Sequence, residues 1–522
     1  MTGNKLTRTL FTLLFAPLCM AAAAQTRTSL LDSLHYKVEL QASLSAGSRT
    51  PLWLNANKYG LSSLNRTNGY LRGGVARPLS ADKGRRWGIG YGVDVAVAAR
   101  YSSRFIVQQA YAEVRWLKGV LTVGAKEYPM ELKNPELSTG PQTLGINARP
   151  VPQVRLALPD YWTIPFTKGW LALKGHIAYG KTTDDKWQKE FSRQQSKYTE
   201  RTLYHSKAGY LRIGKETHPF NAELGLEMAA QFGGTSYIDD LAGGLTKVEN
   251  EGGLKGMWHA FIPGGGESVE DTYKNASGNI LGSWVIRLNY DNARWGASLY
   301  YDHFFEDHSA MFQLDYDGYG TGDEWNTRKR SRYVLYDFKD MLLGAEVRLK
   351  NTPWLNTIVF EYMYTKYQSG PVYHDRTPSM SDHIGGRDSY YHHYIFTGWQ
   401  HWGMVMGNPL FMSPLYNTAT GEIDVKNNRF YAFHLGVKGR PMAELGYRLL
   451  ATWQKGFGTY NEPYPHPRET WSLLLEGDYR FAERSRLRGW SVRAGIGIDH
   501  GRLYGNNGGL QLTIAKTGLL TK

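Results

Sequence analysis

The stretch WGIGYGVDVAVAA, residues 87–99, alternates between large and small side chains at every position. The large apolar side chains would share one face, and they are Trp87, Ile89, Tyr91, Val93, Val95 and Val97. The other face would carry glycines, alanines and Asp94. A period of two is typical of a β-strand between two different environments. The glycines do not indicate a dinucleotide-binding loop, because they lie inside the alternating pattern and no helical pattern follows.

The same pattern recurs along the chain, first in YKVELQASLS at residues 36–45, where apolar and polar side chains again take opposite faces. It predicts further strands at about 69–78, 105–116, 120–127, 170–180, 203–214, 220–233, 280–290, 295–304, 333–349, 355–366, 430–439, 444–455, 471–481, 490–499 and 509–517. These strands and the two quoted stretches make seventeen. Single-chain bacterial membrane barrels use an even number of strands, so we expect one more.

The spacing of the strands indicates where the missing one lies. Short connections at 291–294, 350–354, 440–443 and 482–489 alternate with long polar connections. The long connections lie at about 128–169, 181–202, 234–279, 305–332 and 367–429. In such barrels the C-terminus and the short turns lie on the periplasmic side and the long loops lie outside, so short and long connections must alternate along the chain. Counted back from the C-terminus, this alternation is kept only if an odd number of strands lies within 128–169. VPQVRLAL, residues 151–158, is the candidate, which gives about eighteen strands.

Composition agrees with a membrane β-barrel. The mean hydropathy is −0.46 and the chain after residue 24 has no long apolar run, yet the full sequence is 13% aromatic and contains 58 glycines. The strands of a membrane barrel contain no long apolar run, because lipid-facing apolar side chains alternate with lumen-facing ones, and aromatic residues form girdles at both interfaces. We therefore predict an all-β fold, a transmembrane antiparallel β-barrel of about eighteen strands with long extracellular loops and a plug.

The N-terminal segment predicts export. Lys5 and Arg8 precede an apolar run from Leu10 that ends in four alanines at 21–24. This is typical of a signal peptide at 1–24, which leaves 25–522 as the barrel with its loop insertions. The run is too short for a spanning helix, and Leu18 before Cys19 does not fit a lipid-attachment site. Since Cys19 is the single cysteine, the exported chain would have neither disulfides nor thiolate metal sites.

The formal net charge of +14, of which Lys5 and Arg8 supply two, favours anionic polymers as partners. Export to the outer membrane argues against nucleic acid. Charge alone does not separate lipopolysaccharide from acidic polysaccharide.

The longest connection, 367–429, contains DSYYHHYIFTGWQHWGMVMGNPL at residues 388–410. Aromatic rings suit the apolar C–H faces of sugars, and acids, amides, Arg and His suit their hydroxyls. We expect stacking on polysaccharide by Tyr390, Tyr391, Trp399 and Trp402. Hydrogen bonds to the sugars are expected from Arg387, Asp388, His392 and Asn408. The alternative is a connection that folds inward as a plug, whose aromatic side chains form a small core.

Metal and catalytic interpretations are weaker. A metal site would draw on His374, Asp375, Asp382, His383, His392, His393 and His401. No known ligand spacing is present, and adjacent histidines point to opposite sides of a strand. The glycine-rich run at 263–267 lacks the Lys-Ser/Thr ending of a phosphate loop, and there is no Gly-x-Ser-x-Gly elbow. We expect no cofactor, no metal and no enzymatic activity, and keep an outer-membrane hydrolase as a minor alternative.

Several longer blocks carry a resemblance to a known family. They are TPLWLNANKYGLSS (50–63), GINARPVPQVRLALPDYW (145–162), GWLALKGHIAYG (169–180), LYHSKAGYLRIG (203–214), GWQHWGMVMGNPL (398–410), NNRFYAFHLGVKG (427–439) and ATWQKGFGTY (451–460). In this order they resemble the Wzi family of capsule assembly proteins over nearly the whole exported chain.

The resemblance implies an eighteen-stranded outer-membrane lectin that helps capsular polysaccharide attach and organise on the cell surface, and it does not imply an enzyme. Expected partners are capsular or other surface polysaccharide, outer-membrane lipid and lipopolysaccharide, with the protein a monomer. Studied members close the periplasmic end with a helical bundle, but here only about residues 25–34 precede the first strand. The plug is therefore expected from 128–169 or the large loops. The alternative function is a diffusion channel for anionic solutes.

Overall fold

The chain forms a closed antiparallel β-barrel of eighteen strands in a computed structural model, which describes residues 30–240, 242–262, 279–306, 313–315, 332–334, 339–373 and 384–521. The strands are β1 His35–Ala46, β2 Thr67–Arg77, β3 Trp87–Ala99, β4 Phe105–Trp116, β5 Gly119–Ala125, β6 Gln153–Thr163, β7 Leu171–Lys181, β8 Leu203–Ile213, β9 Phe220–Phe232, β10 Asn279–Asp291, β11 Trp295–Glu306, β12 Met341–Leu349, β13 Thr357–Tyr364, β14 Phe430–Gly439, β15 Leu445–Gly458, β16 Pro463–Arg480, β17 Trp490–Gly501 and β18 Asn507–Leu519. Each strand pairs with its sequence neighbours. The barrel closes where β1 pairs with β18, His35 lying opposite Leu519.

The predicted fold class and the predicted number of strands are confirmed, and β6 is the strand inferred from parity. Most boundaries lie within a few residues of the prediction, and two strand starts differ by about eight residues. The strand predicted at 333–349 begins at Met341, because Arg332–Val334 pairs with Gln313–Asp315 in a separate sheet. β16 begins at Pro463 rather than near 471. Its first residues contain three prolines, and proline argues against a strand because it cannot donate to the ladder, so the sequence pattern did not mark them.

Alternation along the strands sorts side chains between lipid and lumen. In β3 the valines Val93 and Val97 are exposed on the outer surface, whereas Asp94 is buried on the lumen side and pairs with Arg72 of β2 at 2.7 Å. Five of the exposed tryptophans mark one rim of the barrel, and they are Trp116, Trp170, Trp295, Trp354 and Trp490. All five lie at strand ends or turns on the side of the chain termini. Aromatic residues at this level form one interfacial girdle of a membrane barrel.

Connections of different length separate the two ends of the barrel. Turns of two to nine residues join the strands at the end that carries both termini, and the long connections lie at the other end. Among the described residues, three α-helices are α1 Leu52–Asn55, α2 Asp185–Ser192 and α3 Gly253–Phe261, and 3-10 helices span Leu79–Asp82 and Pro414–Asn417. Small sheets separate from the barrel sheet are formed by Tyr198–Glu200 with Thr235–Asp239 and Leu245–Glu249, by Ser369–Tyr373 with Ile384–Arg387, and by Gln400–His401 with Met404–Val405. Within the part of the chain that the structure describes, no helix is both long and apolar enough to cross a bilayer.

Three connections fold into the barrel lumen, and residues 47–66, 126–152 and 388–429 are called the plug below. Leu54 of the plug packs against lumen-facing glycines of β17 and β18, and Leu137 packs against Gly436 of β14. Trp399 stacks on Tyr204 of β8 with ring centroids 5.8 Å apart. Since these contacts reach strands around the whole barrel, the plug fills the lumen at this level. Its apolar side chains form the largest hydrophobic core of the described residues.

Candidate functional site

The aromatic stretch of 388–410 forms the centre of the plug core. The ring of Tyr391 lies 4.1 Å from that of Phe411, and Phe411 meets Phe430 edge to face at 5.1 Å. Tyr391, Phe411 and Phe430 are all fully buried. Gly407 passes so close to Tyr391 and Gln142 that a Cβ atom there would overlap the Tyr391 hydroxyl and the Gln142 carbonyl. The stretch is therefore packed against residues 126–152 at the density of a protein interior.

Hydrogen bonds tie the same stretch to its surroundings. The Tyr390 hydroxyl donates to Oδ2 of Asp340 at 2.8 Å, and the Trp399 indole donates to the Thr143 carbonyl at 3.1 Å. The Asn408 amide donates to the Gly140 carbonyl at 2.6 Å. These partners lie far away in sequence. They satisfy polar groups that would otherwise be costly to bury.

Four of the eight residues expected to bind polysaccharide are thus interior groups. Tyr390, Tyr391 and Asn408 are 0% exposed and Trp399 is 1% exposed, so none offers a face or polar edge to a sugar. Packing against the other plug segments is the physical reason, and it matches the inward-folded alternative. Asp388 is also buried, at 8% exposure.

The other three expected residues differ among themselves. The backbone of Arg387 belongs to the small sheet with Ser369, and its side chain lies outside the description. Trp402 is half-buried, with one face under the Arg149 guanidinium at 4.1 Å and its indole donating to Thr183 Oγ1 at 3.1 Å. His392 is half-buried and lines a pocket on the plug surface. The structure therefore does not gather the eight residues into one site.

The pocket at His392, called the outer pocket below, has a volume of about 230 Å³ at the end of the long connections. Tyr394 is its exposed aromatic side chain, with 64% of its surface accessible. Around it lie charged and polar side chains from separate connections, namely Lys197, Asp239, Ser389, His392, Asp424, Lys426, Thr459, Asn461 and Glu462. An open ring beside groups that donate and accept hydrogen bonds suits a sugar.

The charges of the outer pocket are arranged around Asp424. Oδ1 of Asp424 lies 3.2 Å from Nε2 of His392 and 3.5 Å from Nζ of Lys197. Burial alone would raise the pKa of the Asp424 carboxyl, but the Lys197 ammonium and the hydrogen bond with His392 hold it below its usual range. Asp424 is therefore an anion at neutral pH. Lys426 pairs with Glu462 at 2.9 Å on the rim of the pocket.

Sequence reasoning missed most of this pocket. Tyr394 lies in the aromatic stretch, and its aromatic character was the available signal. Lys197 lies about 200 residues before Tyr394, and Asp424 lies about 30 residues after it. Both belong to polar connections that contain no motif. Their juxtaposition depends on how the connections fold.

The histidines of the stretch are engaged in hydrogen bonds. Nδ1 of His393 accepts from the backbone N–H groups of Ile395 and Phe396 at 3.0 and 3.1 Å. Nε2 of His401 accepts from the Thr183 N–H at 3.1 Å, which leaves Nδ1 to donate to the Arg149 carbonyl. Among the described residues there is no group of three or more His, Cys, Asp or Glu side chains that could hold a metal ion. His374, Asp375, Asp382 and His383 lie outside the described residues.

Below the plug, at the end with the short turns, lies a vestibule of about 1110 Å³. Its walls come from β1 to β4 and β18 and mix cations such as Lys37 and Lys516 with carboxylates such as Glu127. Arg72 spans this region and binds both Asp94 and Glu127, at 2.7 and 3.0 Å. The vestibule is therefore polar, and its lining carries both cations and carboxylates.

Comparison with solved structures places the fold among outer-membrane proteins. Wzi of Escherichia coli, described as an outer-membrane protein involved in group 1 capsule assembly and a carbohydrate-binding β-barrel, matches 96% of this chain and 86% of its own, with 12% identity and a TM-score of 0.52. OprD and OccK3 of Pseudomonas aeruginosa match 94% and 93% of this chain and 96% of their own chains, with 10% and 12% identity and TM-scores of 0.43 and 0.44.

No protein-family model and no curated protein matches the chain. At 12% identity, the similarity to Wzi shows a shared fold. The closed eighteen-stranded barrel, its tryptophan girdle and the fold that it shares with Wzi establish the protein as an outer-membrane β-barrel.

Proposed function

We propose that the protein is a surface lectin of the Wzi family, which binds capsular polysaccharide at its outer pocket and helps the capsule attach and organise on the cell. The observation that carries the proposal is the exposed ring of Tyr394 beside His392, Asp424 and Lys197, above a lumen filled by the plug. A barrel whose lumen is packed with side chains is suited to holding a ligand at its surface rather than passing it through.

The chemistry of the outer pocket fits a carbohydrate. A sugar ring can stack its C–H face on Tyr394 while its hydroxyls meet the Asp424 carboxylate and the Lys197 ammonium. Both charged groups are already oriented by each other and by His392, so little side-chain entropy is lost on binding. Trp402, half-exposed elsewhere on the plug, is a further stacking surface from the expected set.

Membership of the Wzi family and the role in capsule assembly are supported by the seven sequence blocks and by the shared fold with Wzi of E. coli. We further propose that residues 1–24 are a signal peptide, that the barrel acts as a monomer in lipid and lipopolysaccharide, and that it binds polysaccharide without cleaving it. Incubation of the folded protein with polysaccharide and analysis of chain length tests the last point, since shortened chains would contradict it.

The direct test is binding of purified, detergent-folded protein to capsular polysaccharide from its own strain. We expect saturable binding that Tyr394→Ala weakens about tenfold, because loss of an aromatic platform removes about 1–1.5 kcal/mol beyond its buried area. Phe166→Ala is the matched control, since Phe166 is an exposed aromatic residue at the opposite end of the barrel. Absence of binding by correctly folded wild-type protein would contradict the proposal.

A second candidate function is a diffusion channel for anionic solutes, favoured by the vestibule of about 1110 Å³ and by the basic net charge. Planar-bilayer conductance separates the two functions. The plugged lectin should pass little steady current, whereas an open pore of eighteen strands should conduct strongly. A large anion-selective conductance of the wild-type protein would favour the channel.

A further inference from the structure

Helix α3, Gly253–Phe261, lies against the outside of the barrel wall, in the long connection between β9 and β10. Alternation along β9 shows which side of the wall it meets. Ala229 faces the lumen, where it belongs to the plug core, so its neighbours Met228 and Ala230 face outward. Both outward residues pack in a second hydrophobic cluster with Ala260 of α3. The helix therefore covers part of the outer surface of the barrel.

The outward face of β9 changes from exposed to buried where α3 meets it. Leu224, nearer the short turns, is 39% exposed, whereas Phe232 is 3% exposed. Gly256 of α3 lies directly on Phe232, since a Cβ atom at Gly256 would come within 3.2 Å of Cδ2 of the ring. The Tyr179 hydroxyl of β7 donates to the Met257 carbonyl at 2.9 Å. Close packing and this hydrogen bond fix the helix to the wall.

The height of α3 in the membrane follows from strand geometry. A barrel strand rises about 3.3 Å per residue and tilts by about 40°, which gives about 2.5 Å per residue along the barrel axis. Phe220, the first residue of β9, pairs with Tyr290, whose ring lies 5.1 Å from that of the girdle residue Trp295. Met228 and Phe232 are therefore about 20 and 30 Å above this girdle, on either side of the upper edge of an apolar band about 25 Å tall.

The opposite face of α3 is apolar and exposed. Leu254, Trp258 and Ile262 follow one another at a spacing of four residues, which places them along one side of the helix. They are 87%, 59% and 40% exposed. A helix on the surface of a water-soluble protein turns its apolar side chains toward the core and its polar ones toward solvent. This helix has apolar side chains on both of these faces, so its outer face needs an apolar environment.

Polar side chains of α3 are confined to one flank. Lys255 and His259 are one helical turn apart, and both lie against Glu251, at 2.7 and 2.6 Å. Lys255 remains largely exposed. An apolar stripe beside a polar flank is the arrangement of a helix that lies in the interface of a bilayer, with acyl chains on one side and headgroups on the other.

We propose that α3 is an interfacial helix, which inserts Leu254, Trp258 and Ile262 among the acyl chains of the outer leaflet. These three side chains continue the lipid-facing surface of the barrel outward from the wall, at the height where the apolar band ends. Tryptophan is favoured at this level, because its ring is apolar and its N–H can reach the polar headgroups. The inference does not depend on polysaccharide binding at the outer pocket.

The test is spin labelling of the full-length protein, folded and reconstituted into phospholipid vesicles. Because Cys19 is the single cysteine and lies in the proposed signal peptide, one nitroxide can be attached at a chosen position. Leu254→Cys carries the label on the outer face of α3. Leu299→Cys, on the lipid-facing side of β11, is the reference for acyl chains. Lys186→Cys, on the exposed face of α2 in another long connection, is the reference for water.

Molecular oxygen concentrates in hydrocarbon and a polar nickel chelate stays in water, so the ratio of their collision rates with the label measures immersion. We expect the ratio at Leu254→Cys to be close to that at Leu299→Cys and several-fold above that at Lys186→Cys. Heat-dependent migration on gels checks that each variant is folded, and Trp258→Cys repeats the measurement if Leu254→Cys does not fold.

Two results would overturn the inference. One is a ratio at Leu254→Cys equal to that at Lys186→Cys, which would place the outer face of α3 in water. The other is a label shielded from both reagents, which would show that protein covers this face. Dipolar broadening between labels would then identify the covering protein as a second copy of this chain.

Discussion

The ammonium of Lys133 lies 2.6 Å from Oδ2 and 2.7 Å from Oδ1 of Asp302, and both side chains are only 1% exposed. Lys133 belongs to the plug and Asp302 to β11, so this pair joins the plug to the barrel wall. The ring of Tyr300 lies 5.7 Å from the same ammonium. Among the described ion pairs between the plug and the wall this one is the most buried, which makes it a sensitive place to test the plug.

Lys133→Met should loosen the plug, because it leaves the Asp302 carboxylate buried without a cation. Loss of one partner of a buried ion pair costs about 3–5 kcal/mol. We expect faster trypsin cleavage within the plug and transient current in planar bilayers. The double variant Lys133→Met/Asp302→Leu removes both charges and should regain most of the protection. Equal sensitivity of the single and double variants would contradict this role.

Trp399→Ala should destabilise the plug without directly removing a ligand contact. Trp399 is 1% exposed, stacks on Tyr204 and donates its indole N–H to the Thr143 carbonyl. Large-to-small changes of this kind cost about 3–5 kcal/mol. The urea concentration at which trypsin begins to cleave the plug should fall accordingly. Tyr394→Ala, in the same connection but exposed, should leave that concentration nearly unchanged.

Gly407→Ala should disrupt the packing of two plug segments. An added Cβ would overlap the Gln142 carbonyl and the Tyr391 hydroxyl, so the segments must separate. Gly73→Ala is the matched control, since its Cβ would meet no atom within 4 Å. We expect Gly407→Ala to raise the conductance and protease sensitivity, while Gly73→Ala behaves as wild type. A fully protected Gly407→Ala protein would show that the segments do not pack this closely.

Acid should loosen the plug through His393. Burial lowers the pKa of His393 to about 3, and its Nδ1 must stay unprotonated to accept the Ile395 and Phe396 N–H groups. An open, solvated plug would bind the proton near pH 6.5, its ordinary value. The open state therefore binds more protons between about pH 6.5 and 3, and the closed state loses stability as the pH falls through this window.

The expected loss at pH 4.5 is about 2–3 kcal/mol, since one pKa unit corresponds to about 1.4 kcal/mol. Hydrogen exchange of residues 388–410 as a function of pH measures it. His393→Asn keeps an acceptor atom but cannot be protonated, so it should flatten the dependence. His466→Gln, which changes an exposed histidine, should leave the dependence as in wild type. A pH dependence that persists in His393→Asn would assign it to other groups.

The barrel could be derived from the sequence because each strand carries its own signal. Residues 87–99 and 105–116 were predicted at their observed bounds, since lipid on one side and a lumen on the other impose alternation residue by residue. The strand at Gln153–Thr163 was inferred from the even number of strands and the alternation of short and long connections. The signal failed at Pro463, where the first residues of β16 extend beyond the alternating pattern.

The site could be derived only in part. Aromatic side chains suit both a sugar-binding surface and a protein core, so the composition of 388–410 did not distinguish Trp399 in the core from Tyr394 on the surface. The partners that decide between them, such as Thr143, lie more than 200 residues away.

The sequence by itself determined a membrane β-barrel, its number of strands and the end that carries the long connections. These properties follow from a local period and from the order of the strands. Only the tertiary structure decided that three connections fold into the lumen and that four expected sugar-binding residues are buried there. It also placed Tyr394, Lys197 and Asp424 together in the lining of the outer pocket. The physical reason is that burial depends on contacts between segments distant in sequence, and no local pattern records which distant segment will cover a side chain.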